Sequence, residues 1–399
     1  MTLTSPLRRG ANCEVRKPLR DAVVISGWSW GALNVPERLS LTLAHAGAHV
    51  LYCENPKSFA REPVRALGQK TGNVFTYEIA HISHRLNGVP FFAALQGRML
   101  ANQIERQVRK LKLNRPLFFY PHGFSSLPIA REMKRRGYDL VHVCMDYHIE
   151  EQIQHIQLSD VTLTMIEAAY VELFASYGSK IHRLRQFGPI PVPYATLGQR
   201  SRLLPAEALQ IPAPRLVYLG TVDGRVNLGL IRELLREHPE WHFVAFGSED
   251  RVGLPNSHFL PWVPTTEWSK LLDPGTIGFM PYDVSIPKNL NCAPLKLFDY
   301  FAAGLPIASV PIVYVRDYPD LVYTGGTVGE LATAVEKALE EPFDSPKKLR
   351  RRALVSRHSR DTMARILAPL LDEGAAFPPI CWTEDEDAKP QNLSRELGN

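Results

Sequence analysis

Short apolar runs alternate along this chain with longer stretches whose apolar residues recur at helical spacing. From Asp21, "AVVISG" reads as a buried strand, "WSWGALN" as a glycine-bearing loop, and "PERLSLTLAHAG" as a helix with Leu39, Leu43 and Ala46 on one face. "HVLYCEN" follows as the next strand. A strand–helix–strand unit of this kind builds a parallel sheet covered on both faces. The alternation continues through a helix over 91–112, strand "PLFFYP", helix "LPIAREMKRRG", strand "LVHVCMD", a helix near 148–157, strand "VTLTM" and helix "EAAYVELFASYG".

The pattern lapses over 191–214, a proline-rich, aperiodic interval that reads as a passage between domains. A second series begins with strand "RLVYLG", loop "TVDGRVN" and helix "LGLIRELLREH". Strands "WHFVAFG", "SHFLPWV" and "IGFMPY" follow, with helix "TTEWSKLL" between the last two. Strand "PIASV" and a helix near 329–340 complete it. The expected organisation is a first domain over 21–190, a linker over 191–214 and a second domain over 215–345. A basic helix over 346–372, with an amphipathic run of Met363, Ile366 and Leu370, then closes the folded part, and an acidic tail covers 375–399. The fold class is therefore α/β, two Rossmann-like doubly wound domains facing across a cleft.

Composition narrows this picture modestly. With 45% hydrophobic and 22% charged residues, the 399-residue chain is ordinary globular protein of two-domain size. No apolar run approaches the roughly 18 residues that cross a bilayer. The basic amino terminus lacks an apolar core and is not expected to be a secretory signal. Five cysteines, none in a C-x-x-C pair, fit a reducing, cytoplasmic setting and leave no zinc site of the usual spacing. Charge is uneven. Residues 1–200 hold 25 Lys and Arg against 15 Asp and Glu, whereas residues 201–399 hold 21 against 26. The basic half suits an anionic partner, either an anionic membrane surface or a phosphorylated substrate, unless the excess merely solvates exposed faces. Nucleic acid is not expected, because no basic stretch is interleaved with stacking aromatics.

The stretch "NCAPLKLFDYFAAGLPIAS", residues 291–309, carries the most chemistry. Pro294 suits a helix start, where its missing N–H costs nothing. Free N–H groups and the positive dipole end favour an anion there. Lys296 adds a full charge in that first turn, and Asp299 lies three residues on along the same face. A carboxylate there can accept hydrogen bonds from neighbouring sugar hydroxyls, so the pair can hold a ribose diphosphate. An amphipathic helix with a surface ion pair accounts for the spacing equally well.

"PLKLFDYFAAGLPIAS" resembles the nucleotide-sugar signature of the retaining family-4 glycosyltransferases, two-domain enzymes of the GT-B fold. "VPERLSLTLAHAGAHVLYCENP", "HVCMDYH" with "SDVTLT", and "RLVYLGTVDGRVNLGLIREL" are similar to other segments of that family, so the resemblance spans about residues 21–370. It implies that the helix over 346–372 crosses back to the first domain and that Asp299 holds the nucleotide ribose. It places Asn291 where the family has a sugar-binding acid, a departure that suits either an amide contact or a lost activity. Lys296, Leu295 and Arg225 are implied at the diphosphate, with Gly220 and Gly247 letting backbone N–H groups approach the donor. Trp262 and Val263 fall where the family holds the base. In the first domain, Asp146 and His122 end strands where an acceptor would arrive, Asp146 as the candidate base. Gly31 would permit close approach, and Trp28 and Trp30 would either stack on a sugar or fill the core.

The function implied is transfer of a sugar from a nucleoside diphosphate sugar to a glycan or lipid-linked acceptor, with retention. A nucleoside diphosphate sugar serves as co-substrate, and no cofactor or metal is expected. The alternatives are a non-catalytic GT-B protein that binds nucleotide sugar or a partner, and a nucleotide-sugar epimerase. A dehydrogenase is excluded because no strand precedes G-x-G-x-x-G.

Overall fold

The computed structural model describes residues 19–372 apart from 32, 59–66, 82–87, 124–125, 191–202, 248–251, 264 and 343. The expected tail at 375–399 and linker residues 191–202 lie outside the described residues. The first sheet is built from β1 (Ala22–Ile25), α1 (Val35–His45), β2 (Val50–Ser58), β3 (Gly68–Thr71), β4 (Val74–His81) and α2 (Pro90–Leu111). It continues through β5 (Leu117–Pro121), α3 (Ser126–Arg135), β6 (Leu140–Cys144), α4 (Ile149–Leu158), β7 (Val161–Thr164), α5 (Glu167–Tyr177) and β8 (Ile181–Arg183). The strand order is β3-β4-β2-β1-β5-β6-β7-β8, parallel except for β3.

Alternation along β1 explains why both faces are covered. Ala22 and Val24 enter one core with Leu39 and Leu43 of α1, while Val23 and Ile25 enter another with Leu100 and Ile104 of α2. The β3–β4 hairpin, turning at Gly72 with φ of 48°, was not anticipated, because the short polar run "GQKT" lacks a strand's apolar alternation.

The second sheet comprises β9 (Arg215–Leu219), α6 (Leu228–Glu237), β10 (His242–Phe246), β11 (Ser257–Leu260), α7 (Thr265–Trp268) and β12 (Thr276–Met280). Next come α8 (Pro287–Leu290), α9 (Leu295–Ala303), β13 (Ile307–Ser309), β14 (Tyr323–Thr324) and α10 (Val328–Glu340). The six strands run in the order β11-β10-β9-β12-β13-β14, and every pairing is parallel.

The basic helix expected over 346–372 is two helices, α11 (Pro346–Ser356) and α12 (Arg360–Leu371). Ser359 starts α12 afresh, its side chain accepting from Thr362 N. The halves serve different sheets. Buried Arg351 of α11 pairs with Glu341 at 2.6 Å and donates to Leu321 O. Met363, Leu367, Leu370 and Leu371 of α12 enter the first core, with Ile366 partly buried against it. Arg20 N donates to Leu371 O at 2.7 Å, which ties the start of the described chain to its end.

Between β5, β6 and α4 lies a buried polar cluster. His142 stacks on His155 at 4.9 Å and packs against Tyr120. Burial, then the charge of its histidine neighbour, lowers His142 to about 3. Burial, then His122 and Arg131, lowers His155 to about 4. Both rings are neutral in the fold, whereas in the unfolded chain they take up protons near 6.5. Their contribution to stability is complete above pH ~6.5 and is lost as pH falls toward 4. The melting temperature should therefore decline steadily between pH 7 and pH 5, and His142→Gln should flatten that slope. A wild-type melting temperature that stays constant across this window would contradict the account.

Candidate functional site

A cavity of about 930 Å³ lies between the two sheets. Its second-domain wall follows the carboxyl ends of β9 and β12, where the order of the second sheet reverses, the usual ligand position in such sheets. Its first-domain wall comes from the loop after β1, the start of α1 and the residues after β6.

Helix α9 points its amino end into this cavity. Tyr300 anchors the helix to the sheet: its hydroxyl donates to Val217 O at 2.8 Å and accepts from Leu219 N at 3.1 Å. Its ring lies so close to β12 that a Cβ on Gly278 would meet it at 2.7 Å. Gly304, with φ of 76°, closes the helix in the left-handed region, where a Cβ would strike Lys348. The other end has no side-chain cap, so the first backbone N–H groups are available to an anion. Pro294, Leu295 and Lys296 all line the cavity. The Lys296 ammonium sits 3.5 Å from the Tyr218 ring centre and 5.1 Å from that of Tyr282. A Cβ on Gly220 would come 3.4 Å from Lys296 Nζ, so this glycine, with φ of 126°, makes room for the charge. Burial, then the nearby Arg225, pulls the Lys296 ammonium well below the ordinary lysine value.

Arg225 is held by Asp223, with Nε 3.0 Å and Nη2 2.9 Å from its carboxylate. Partial burial raises the Asp223 carboxyl, but hydrogen bonds and charge from Arg225 outweigh it and keep it below its usual value. Buried Asn289 braces the same loop, its Nδ2 donating to Arg225 O at 3.3 Å and Asp283 O at 2.9 Å. Asn289, Asp223 and Arg225 all line the cavity.

The first domain reaches across through the first turn of α1. Asn34 caps this helix by accepting from Glu37 N. The Glu37 carboxylate accepts from Gly31 N and Leu33 N, both at 3.0 Å, and so pins the loop after β1. Beside it, Arg38 is 4% exposed. Its Nε donates to Leu33 O, its Nη1 to Phe187 O, and its Nη2 to both carboxylate oxygens of Asp299 at 3.0 and 3.1 Å. Gln186 adds a second crossing, with Nε2 donating to Ala293 O at 2.6 Å.

Of the residues expected from sequence, Asp299, Lys296, Leu295, Arg225, Gly220 and Asp146 line this cavity, as do Trp28, Trp262 and Val263. Others lie elsewhere. Asn291 turns its amide back to cap α8, with Nδ2 donating to Pro287 O at 2.9 Å, and it is not a lining residue. His122 lines a separate cavity of the first domain. Trp30 is 5% exposed and packs edge-on against Tyr52 at 5.1 Å, so it belongs to the core. Gly31 and Gly247 also stand back from the cavity wall: Gly31 N is used by Glu37, and Gly247 packs on Trp262. Sequence reading missed Arg38, Asn289 and His148. Arg38 meets Asp299 across 261 residues, a pairing no local pattern announces. Among the described residues there is no group of three or more His, Cys, Asp or Glu that could hold a metal ion.

Two parallel-sheet domains facing across such a cavity define the GT-B class of fold, and the solved structures that resemble this chain are glycosyltransferases of that class. An E. coli trehalose-6-phosphate structure bound with UDP-2-fluoro glucose aligns with TM-score 0.61 at 11% identity, covering 89% of this chain and 99% of that one. Sucrose-phosphate synthase from Thermosynechococcus elongatus aligns with TM-score 0.64 at 13% identity, covering 88% and 98%. In sequence, the chain is 28% identical over 154 residues to the teichuronic acid biosynthesis glycosyltransferase TuaH of Bacillus subtilis. That match covers 34% of this chain and 38% of the relative, so the chain spans well under half the length of the curated relative it matches. No family model matches the chain.

Breaking the Arg38–Asp299 pair from one side leaves a buried charge alone, which costs about 3–5 kcal/mol. Arg38→Met and Asp299→Asn should each lower stability on that scale in chemical denaturation. The double variant should lose clearly less than the sum of the two. Strictly additive losses would show that the two groups are not coupled.

Proposed function

We propose that the chain is a glycosyltransferase that moves a hexose from a nucleoside diphosphate sugar to a glycan or lipid-linked acceptor, with retention of anomeric configuration. One observation carries this reading: the uncapped start of α9, Lys296, Arg225 and Asp299 converge on one cavity at the turning point of the second sheet. In this reading the donor diphosphate lies against the first N–H groups of α9, between Lys296 and Arg225. These cationic groups meet the charge that grows on the leaving diphosphate, so the reaction as proposed needs no metal. Asp299 accepts from the ribose hydroxyls with lone pairs that Arg38 leaves free. The glycine after β9, Gly220, lets the donor approach the sheet. Asp146 stands on the opposite wall, where an acceptor hydroxyl would be deprotonated.

The relatives support the donor and acceptor classes. A solved neighbour was captured with UDP-2-fluoro glucose, so uridine diphosphate sugars are the first donors to test. The relative from teichuronic acid biosynthesis favours a polysaccharide acceptor. No helix among the described residues is long and apolar enough to cross a membrane, and the proposed contact with an anionic, cytoplasmic-face membrane is peripheral. The position of Asn291, turned away from the cavity, favours a second reading in which the protein binds nucleotide sugar without transferring it.

Donor-dependent release of free nucleoside diphosphate separates the two readings, and the anomeric signal of the product reports retention. Lys296→Ala and Arg225→Ala should each weaken donor binding in calorimetry by about 1.5–3 kcal/mol. A diphosphate beside Lys296 would also restore its charge. Above the free-state pKa of Lys296, donor binding should therefore take up a proton, visible as a dependence of binding heat on buffer. Unchanged donor affinity in both variants would sink the assignment.

A further inference from the structure

The loop after β1 is anchored at several points. Ser26 Oγ accepts from Trp28 N at 3.0 Å. The Tyr52 hydroxyl donates to Trp28 O at 3.2 Å and lies 2.6 Å from Ser26 Oγ. Two residues on, Trp30 N donates to the Glu54 carboxylate at 3.1 Å, and its ring is packed away against Tyr52. Glu37 then accepts from Gly31 N and Leu33 N. Tyr52, Glu54 and Glu37 are all buried, so this network leaves the loop backbone little freedom.

A loop so fixed can bury its aromatic rings, as it does with Trp30. Trp28 is different. It is 44% exposed and lines the interdomain cavity, and its indole meets no aromatic ring and no hydrogen-bond acceptor among the described residues. A large flat ring held at a cavity wall by a rigid backbone is already ordered before a ligand arrives, which lowers the entropic cost of binding. Asp146 and His148 belong to the same first-domain wall. Among the described residues, nothing donates a hydrogen bond to the Asp146 carboxylate, and the His148 ring makes no hydrogen bond. An apolar platform beside a few free polar groups has the composition of a small-molecule seat.

The seat selects by shape. A pyranose of gluco configuration holds its hydroxyls equatorial, so axial C–H bonds point to the two faces of the ring. Such a face is apolar and weakly positive, and it suits the negative face of an indole. The hydroxyls at the rim are then placed to meet Asp146 and His148. An open-chain polyol has the same hydroxyls and lacks the face. The groups proposed to hold the nucleotide lie on the other wall, at the start of α9 and in the Arg225 loop. Trp28 is therefore left for the acceptor.

We infer that Trp28 is the platform on which a gluco-configured pyranose of the acceptor stacks, with a hydroxyl turned to Asp146. Trp28 selects the acceptor and leaves the nucleotide untouched. This inference deepens the acceptor half of the proposed function and rests on that half, while the binding it describes needs neither a nucleotide nor a transfer step.

The test is saturation-transfer NMR of the full chain with methyl β-D-glucopyranoside, with and without UDP, and with sorbitol as control. The glucoside should bind, its ring C–H protons receiving the most saturation, and sorbitol should not. Trp28→Ala should weaken the glucoside at least about tenfold, the order expected when an aromatic anchor is truncated. Trp28→Phe should recover part of that loss. The indole is half exposed, and unchanged melting curves would confirm that both variants fold. Calorimetric affinity for UDP should be the same in the wild type and both variants. Glucoside binding that is absent from the wild type, matched by sorbitol or unchanged in Trp28→Ala would overturn the inference. So would an equal loss of UDP affinity in Trp28→Ala, because the indole would then belong to the nucleotide. Absence of UDP binding in the wild type, with Trp28-dependent glucoside binding intact, would uphold this inference and remove only the donor reading.

Discussion

The contact between Arg38 and Asp299 organises the rest of the molecule. One end is in the first turn of α1, the other in the second turn of α9, and both side chains are almost wholly removed from water. A buried charge is tolerated only when it is paired and its remaining hydrogen bonds are met. Arg38 meets that condition by spending its other N–H groups on Leu33 O and Phe187 O. One guanidinium therefore joins three segments: the loop after β1, the end of the first domain, and the helix that carries Lys296 and Asp299 into the cavity. Because Arg38 fixes the direction of the Asp299 carboxylate, the face of α9 turned to the cavity is set from the opposite domain.

Packing completes what that pair begins. Tyr300 lies flat on Gly278 and bonds the edges of β9, so α9 neither slides nor rotates on its sheet. With the helix so held, Lys296 has one place to put its ammonium, over Tyr218 and in the space that Gly220 leaves. Among the described residues no carboxylate pairs with that amine, and burial together with the nearby Arg225 disfavours its charged form. An anion beside it would offset both effects, which is a physical reason for the cavity to favour a diphosphate. The α11–α12 break has a comparable logic: Arg351 keeps one helix with the second sheet, and Ser359 releases the next to fill the first core.

Much of this was legible in the sequence because it is local. Apolar runs and their spacing mark the strands, and the series of Pro294, Lys296, Asp299 and Gly304 marks a helix with a charged start and a glycine stop. What could not be read depends on the direction of a turn or on distance along the chain. Asn291 and Asn289 differ by two positions, yet one caps α8 outward and the other braces the cavity loop, because Asn289 lies within that one-turn helix and Asn291 just past its end. Trp28 and Trp30 likewise flank one bend, and only the first reaches the cavity. His122 and Asp146 end neighbouring strands, but they open into different cavities. Nothing local marks Arg38, because its partner lies in the other domain.

The account stands or falls on where a nucleoside diphosphate sits in the cleft. A crystal structure of the complex decides it most directly. It should show the diphosphate at the Leu295 and Lys296 N–H groups and beside Arg225, with a ribose hydroxyl on Asp299 and the Arg38 pair still formed. A nucleotide bound elsewhere, or one in the cleft with its ribose away from Asp299, would contradict it.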